Sequence, residues 1–315
     1  MLSSSARVMR TMNTITMLSG TSTGSNRDFI DRQQCIALLI IDVQQDFCPV
    51  PAQTDPKGWA ALPVPGGNEI VPLINKLKAG FPFGRVFLTL DYHPRGHVSF
   101  ASSHPGHALF STIDVDERGT MVKQALWPDH CVMGTDGAEP HPDLKIAKGA
   151  YDNVRETPFI DEIYYKGRDI LVDSYSAFYD NAGKSTEIVD TMLKTRNIKE
   201  VVVVGIAFDF CVGSTALDAV KDGYKTTVCC DACAAVNDSG FRNMVMRLLA
   251  AGVTLTTCDA FVKSRKKQNA CTITATICCD SNADQTDAEF RAMIMRYLHE
   301  GITFNGITSS PPPPE

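Results

Sequence analysis

Apolar residues fall along this chain in two rhythms. Runs such as "IALLII", "RVFLTL" and "VVVV" are continuous, with no polar phase, and read as strands buried on both faces. Between them, apolar residues recur at helical spacing. The reading is a buried strand in "CIALLIIDVQQDF" (35–47) that ends at Asp42, a helix over 68–79, strands at 85–91 and 159–165, and a helix over 184–197. A strand at 200–206 follows, then a helix that Cys211 opens and Gly223 closes, a strand at 224–230, a helix over 238–251 and a strand at 253–258. Strand and helix alternate. That predicts an α/β fold, a three-layer doubly wound sheet, mainly parallel, with helices on both faces. Residues 92–158 read as one long irregular stretch rich in Gly, Pro and His, and stretches of that length are usually functional.

The pattern also repeats once. Residues 227–254 match 276–303 at a constant offset of 49, with 14 identities in 28 positions and no gap. The unit is one strand–helix–strand piece, too short to fold alone and too few for a solenoid. The second copy either extends the sheet edge or competes with the first for one place. The expected organisation is an N-terminal tail (1–30), a main domain (31–262) and a C-terminal extension (263–315) carrying the duplicate.

Composition narrows the function classes. With 44% hydrophobic and 21% charged residues and a net charge of −6, the chain has an ordinary globular composition and no basic field for nucleic acid or an anionic membrane. "KSRKK" (263–267) reads as a solvated loop, and no apolar run reaches the roughly 20 residues of a membrane span. Eleven cysteines, several inside apparent strands (Cys35, Cys229, Cys258), fit buried thiols in a reducing compartment. The expected location is cytoplasmic, extending to the nucleus. Were the Arg-, Ser- and Thr-rich first 27 residues a targeting signal, it would be organellar or secreted.

The chemistry-bearing residues sit at strand ends. Cys211 follows the valine strand near a helix N-terminus, where the dipole favours thiolate; a small buried apolar cysteine would look the same. Asp91 and His93, two apart at a strand end, share a face and can hold a divalent metal, with His97 within reach and His130 a distant third. Surface histidines in a polar loop would give the same pattern. Asp42 ends a strand too apolar for an unpaired charge, so it caps, pairs or catalyses. Lys166 follows another apolar strand, the usual place for an exposed lysine. An aspartate, a lysine and a cysteine on three strand ends can converge as base, charge partner and nucleophile.

In order along the chain, "IIDVQQDF", "LDYHPRGHVSF", "LWPDHC", "KG" with "YSAFYD", and "VVGIAFDFC" resemble the nicotinamidase group of the isochorismatase-like cysteine hydrolase superfamily. The resemblance spans about 35–260 and leaves out the N-terminal 30 residues and the duplicate. It implies a catalytic triad of Asp42, Lys166 and Cys211. It implies metal ligands at Asp91, His93 and His130, with His97 as second choice, for Zn2+ or alternatively Fe2+ or Mn2+. It implies a cis peptide at Ile206–Ala207, with the N–H groups of Ala207 and Cys211 forming an oxyanion hole. Phe47, Trp127 and Tyr175 are the expected walls around a nicotinamide ring. The implied reaction is hydrolysis of nicotinamide through a cysteine thioester, in NAD salvage. Partners are then the small-molecule substrate alone, with no nucleic acid and no membrane, and homo-oligomerisation stays open. The rivals are a related small-amide hydrolase acting on a carbamoyl or ureido group, an inactive scaffold of the same fold, and a metal-storage or redox protein. The scatter of the cysteines through apparent strands disfavours the last.

Overall fold

The first strand shows why the apolar runs lack alternation. In β1 (Ile36–Ile41), Ala37, Leu39 and Ile41 enter one core while Ile36, Leu38 and Ile40 enter another on the opposite face. A strand with a core on each side has no position for a polar residue. The protein is seen here as a computed structural model that describes residues 35–48, 60–147, 161–188, 197–266, 273–278 and 285–308. The expected tail over 1–30 lies outside the described residues, as do positions 189–196 of the helix expected over 184–197.

After β1 come α1 (Ile70–Gly80), β2 (Arg85–Asp91), β3 (Thr112–Glu117), β4 (Thr120–Ala125), β5 (Glu162–Lys166) and β6 (Glu200–Ile206). Then follow α2 (Gly213–Lys221), β7 (Lys225–Ala234), α3 (Asp238–Ala250), β8 (Thr254–Thr256), α4 (Cys258–Lys266), β9 (Ile273–Cys278), α5 (Asp287–His299) and β10 (Ile302–Thr308). Eight strands form one sheet in the order β5-β2-β1-β6-β7-β8-β10-β9. Every neighbouring pair is parallel except β8 with β10. Helices α1 and α4 cover one face; α2, α3 and α5 cover the other. The expected fold class holds.

Three local expectations fail. The stretch 92–158 is not wholly irregular, because β3 and β4 form a separate antiparallel hairpin. Its turn is Arg118–Gly119, both at positive φ (51° and 85°), as hairpin turns of the primed type require. The strand expected over 253–258 stops at Thr256, and Cys258 instead starts α4, its N–H donating to Asp231 Oδ1 at 2.8 Å. α4 runs on to Lys266, so most of "KSRKK" is helix rather than loop. Lys166, which the resemblance places in the triad, is buried at 6% accessible rather than exposed past its strand.

The duplicate takes the first of its two options and extends the sheet edge. β9 and β10 pair in parallel as β7 and β8 do, but the register slips by two residues. Thr227 faces Thr254 in the first copy, whereas Thr303 faces Thr274 rather than Thr276 in the second. As far as Phe304, a slip of two keeps each side chain on its own face of the sheet, and an irregularity between Phe304 and Ile307 shifts the register by one more residue beyond it.

Candidate active site

β5, β2, β1 and β6 are adjacent in the sheet, so their carboxyl ends form one rim. That is where ligands bind in open parallel sheets. Lys166 ends β5, Asp91 ends β2, Asp42 follows β1, and the segment after β6 carries Ala207 and Cys211. The Lys166 Nζ lies 2.8 Å from Asp42 Oδ2 and 3.4 Å from Cys211 Sγ, and donates to Asp91 Oδ1 (2.5 Å) and to the Ser174 carbonyl (2.8 Å). All four side chains are buried. Asp42 adopts φ 49°, an uncommon conformation for a residue with a Cβ. It is held there by its own N–H donating to Thr89 O (3.1 Å) and by Thr89 Oγ1 donating to its Oδ1 (2.7 Å).

The Ile206–Ala207 peptide is cis, as expected. Beyond it, Cys211 does not open the helix directly. It lies in one widened turn, Phe208–Val212, closed by Val212 N–H donating to Ala207 O (3.0 Å), and α2 begins at Gly213. Gly205 lets β6 approach β1: a Cβ there would sit 2.1 Å from Ile41 O, and its φ is 121°.

Electrostatics corrects the expected thiolate. Burial pushes the Cys211 thiol well above its ordinary pKa, and Lys166 offsets this only in part. The resting nucleophile is a thiol. Burial likewise raises Asp42 to about 6 despite the neighbouring ammonium, so at neutral pH it is a carboxylate of unusual basicity. Burial would also raise Asp91, but Lys166 and His93 hold it well below the usual carboxylate range. Burial disfavours charge on Lys166 as well, yet Asp42 and Asp91 keep it firmly protonated.

Beside this set, ligand atoms of Asp91, His93 and His130 lie within 4.8 Å of one another. The His93 Nδ1 donates to the Gly167 carbonyl (2.8 Å) and the His130 Nδ1 to the Pro128 carbonyl (2.7 Å). Each ring thereby turns its Nε2 toward the set, the usual preparation of metal-binding histidines. Burial opposes charge on His93, but Asp91 raises its pKa above the ordinary value, so that ring must give up a proton to bind a metal. Burial drops His130 to about 4, so it is neutral at pH 7. His97 groups with His93 and Asp173 instead. Its Nδ1 is engaged by Ser99 Oγ (2.7 Å) and its Nε2 faces Val172 O (3.3 Å), while its ring stacks on His93 at 4.2 Å. A third overlapping set, Asp42 with Asp91 and Cys211, already encloses the Lys166 ammonium, which repels a cation. The first set therefore fits a divalent metal best, and His97 acts as a packing partner behind His93.

A cavity of about 410 Å3, its mouth included, opens onto Cys211, Asp91, His93 and His130. Phe47, Trp127 and Tyr175 line it, together with Phe210. Phe210 meets Trp127 edge-on at 4.9 Å, and the Trp127 Nε1 lies 3.4 Å from Tyr175 Oη. Sequence reasoning missed Phe210, Thr89 and Asp46. Asp46 is buried and accepts from the N–H groups of Cys131 (2.7 Å) and Ala61 (3.1 Å), tying the loop that carries His130 to the end of β1. The signal was the second aspartate of "DVQQDF", a charge in an otherwise apolar setting.

The isochorismatase domain family matches residues 36–260. The chain belongs to the isochorismatase family. Over 218 residues it is 38% identical to the nicotinamidase of Acinetobacter baylyi, covering 69% of this chain and 90% of that protein. A solved structure described as an Acinetobacter baumanii nicotinamidase and pyrazinamidase is 38% identical, with a TM-score of 0.61 over 72% of this chain and 98% of that one. A Pyrococcus horikoshii pyrazinamidase solved in complex with zinc is 26% identical, with a TM-score of 0.50 over 71% of this chain and 99% of that one. The family match ends at residue 260, before the duplicated C-terminal copy.

Proposed function

We infer that this isochorismatase-family chain hydrolyses nicotinamide to nicotinate and ammonia, the reaction of NAD salvage. The observation that carries this reading is the single buried cluster in which Lys166 bridges Asp42 and Cys211 beside a histidine–carboxylate set. Asp42, Lys166 and Cys211 form the catalytic triad.

The amide enters with its ring between Phe47, Trp127, Phe210 and Tyr175. Asp42 takes the Cys211 proton as Sγ attacks the amide carbon. The carbonyl oxygen becomes an oxyanion, received by the backbone N–H groups of Ala207 and Cys211; one such donor is worth about 3 kcal/mol of barrier. Protonated Asp42 then gives its proton to the departing nitrogen, the C–N bond breaks, ammonia leaves and a nicotinoyl thioester remains. Asp42, a carboxylate again, takes a proton from an attacking water. The C–S bond breaks, nicotinate leaves and the proton returns to Cys211.

Asp91, His93 and His130 would hold a divalent metal, which we take to be zinc, with iron or manganese as alternatives. When bound, the metal supplies a Lewis-acid site suited to a pyridine nitrogen. That site favours nicotinamide over a carbamoyl or ureido substrate, which lacks the ring nitrogen.

The test is ammonia release from nicotinamide by metal-loaded protein and by Cys211→Ala. Activity in the first, lowered by at least about 10⁴-fold in the second, is expected. No release from folded, metal-loaded protein would refute the assignment.

A further inference from the structure

The two copies of the duplicated unit meet each other through equivalent residues. Leu255 of β8 and Phe304 of β10 are 49 apart, the repeat offset, and they are the residues that face each other where these two strands pair antiparallel. The Thr256 and Thr303 hydroxyls lie 3.3 Å apart beside them. On the helices, Arg291 of α5 pairs with Asp238 of α3 at 2.9 Å, and Arg242 of α3 pairs with Asp287 of α5 at 3.4 Å. Those are the same two positions exchanged, since Asp238 corresponds to Asp287 and Arg242 to Arg291. The ring contacts are exchanged too. The Arg242 guanidinium lies over Phe290 at 4.9 Å, and that of Arg291 lies over the equivalent Phe241 at 5.1 Å.

Residue i touching j′ while j touches i′ is the mark of a two-fold, self-complementary interface. A pseudo-two-fold axis therefore runs between Leu255 and Phe304. The face of the first copy that the second covers is built to pair with itself. It consists of the open edge of β8, which would otherwise present unpaired backbone groups, and the apolar side of α3. Phe241, Val245, Leu249 and Leu255 meet the equivalent Phe290, Ile294, Leu298 and Phe304 there in one buried core.

We propose that the β8 edge and α3 form a self-pairing surface whose partner is a second copy of this chain, and that the C-terminal copy occupies it from within and holds the chain as a monomer. The inference does not depend on the reaction assigned above. The surface lies at the far edge of the sheet from β5, β2, β1 and β6, which carry the active site.

The experiment is sedimentation velocity at micromolar concentrations on three groups of protein. The full chain is expected to run as a monomer. The full chain with Phe304→Asp and Arg291→Asp places a charge on the axis and repels Asp238, and it is expected to run at twice the monomer mass. A chain ending at Lys266 tests the same face without the second copy. It retains residues 36–260, the whole of the isochorismatase-domain match, and it too is expected to dimerise.

Within the shortened chain, Arg242→Asp sets like charges against each other twice across the axis and should raise the dimer dissociation constant at least about 100-fold. Asp238→Arg combined with Arg242→Asp restores opposite pairing and should recover most of the affinity. A shortened chain that is folded by circular dichroism yet stays monomeric would overturn the proposal. So would association indifferent to both charge changes, which would be non-specific sticking of an exposed apolar face. A full chain that is already dimeric and keeps that state after Phe304→Asp with Arg291→Asp would overturn it as well.

Discussion

Thr89→Val removes one hydroxyl and almost nothing else, which makes it a sharp test of Asp42 as the base. Thr89 is buried, and its Oγ1 donates to Asp42 Oδ1 at 2.7 Å, a bond that favours the ionised carboxylate. A hydrogen bond to a charged group contributes about 1.5–3 kcal/mol. At 1.36 kcal/mol per pKa unit, its loss raises the Asp42 pKa by about 1–2 units. The sign is fixed: the base form is lost as pH falls, so a higher pKa moves the acid limb of kcat/KM to higher pH. With wild-type Asp42 at about 6, wild type keeps half its plateau at pH 6. The variant, titrating near 7–8, keeps about 1–10%, a loss of about 5- to 50-fold at that pH by the same relation. The assay is initial-rate ammonia release from nicotinamide across pH 5–9 with metal held in excess. Loss of metal from protonated histidines would also produce an acid limb, but Thr89 touches none of them, so that limb would not move. A variant whose plateau falls while its acid midpoint stays at the wild-type value would refute Asp42 as the titrating base.

The remaining predictions concern the metal and the frame. His130→Ala should lower bound metal per chain, read by elemental analysis after dialysis, because the set falls from three protein ligands to two; losses of about 10–100-fold in affinity follow even from disturbing the groups that orient such ligands. His97→Ala should retain metal stoichiometry, since both its nitrogens face protein groups; equal loss in the two variants would move His97 into the ligand set. Gly205→Ala should lower the melting temperature sharply or prevent folding, because a Cβ 2.1 Å from the backbone oxygen of Ile41 can be relieved only by parting β1 from β6; a shift of a degree or two would mean the strands have slack there.

How much was legible depended on whether local sequence or distant partners decide a feature. Strands such as Glu200–Ile206 stand where the apolar run ends, because two-sided burial leaves nothing else for four valines to do. The rim residues were legible because charges and a thiol at the ends of such strands are costly without a purpose. The β3–β4 hairpin was not, because its pattern in "TIDVDE" mixes charge into a half-exposed strand and its signal is a single Arg–Gly turn. Cys258 looked like the end of a strand until Asp231, 27 residues earlier, supplied its cap. Phe210 and Thr89 act through neighbours far away along the chain, Trp127 and Asp42, which no periodicity reveals. The thiol's protonation was misread because the sequence shows the helix start and the lysine but not the depth of burial, and burial is the larger effect.

A nucleophile that rests as a thiol is consistent with an active hydrolase because of where Lys166 stands. Its ammonium lies 2.8 Å from Asp42 Oδ2 and 3.4 Å from Cys211 Sγ. When the proton passes from Cys211 to Asp42, the negative charge passes the other way and stays beside the same ammonium. At an effective dielectric of about 20, the attraction is about 6 kcal/mol at the first distance and about 5 kcal/mol at the second. The transfer therefore forfeits only about 1 kcal/mol of pairing with Lys166. Burial raises both the donor and the acceptor pKa, so it also cancels in part between them. What the dry site disfavours is a standing thiolate without a substrate. What it permits is a thiolate formed as the amide carbon accepts it, with the charge moving on to the carbonyl oxygen at the Ala207 and Cys211 N–H groups. The arrangement thus confines nucleophile formation to the occupied cavity and leaves the empty enzyme with an unreactive thiol.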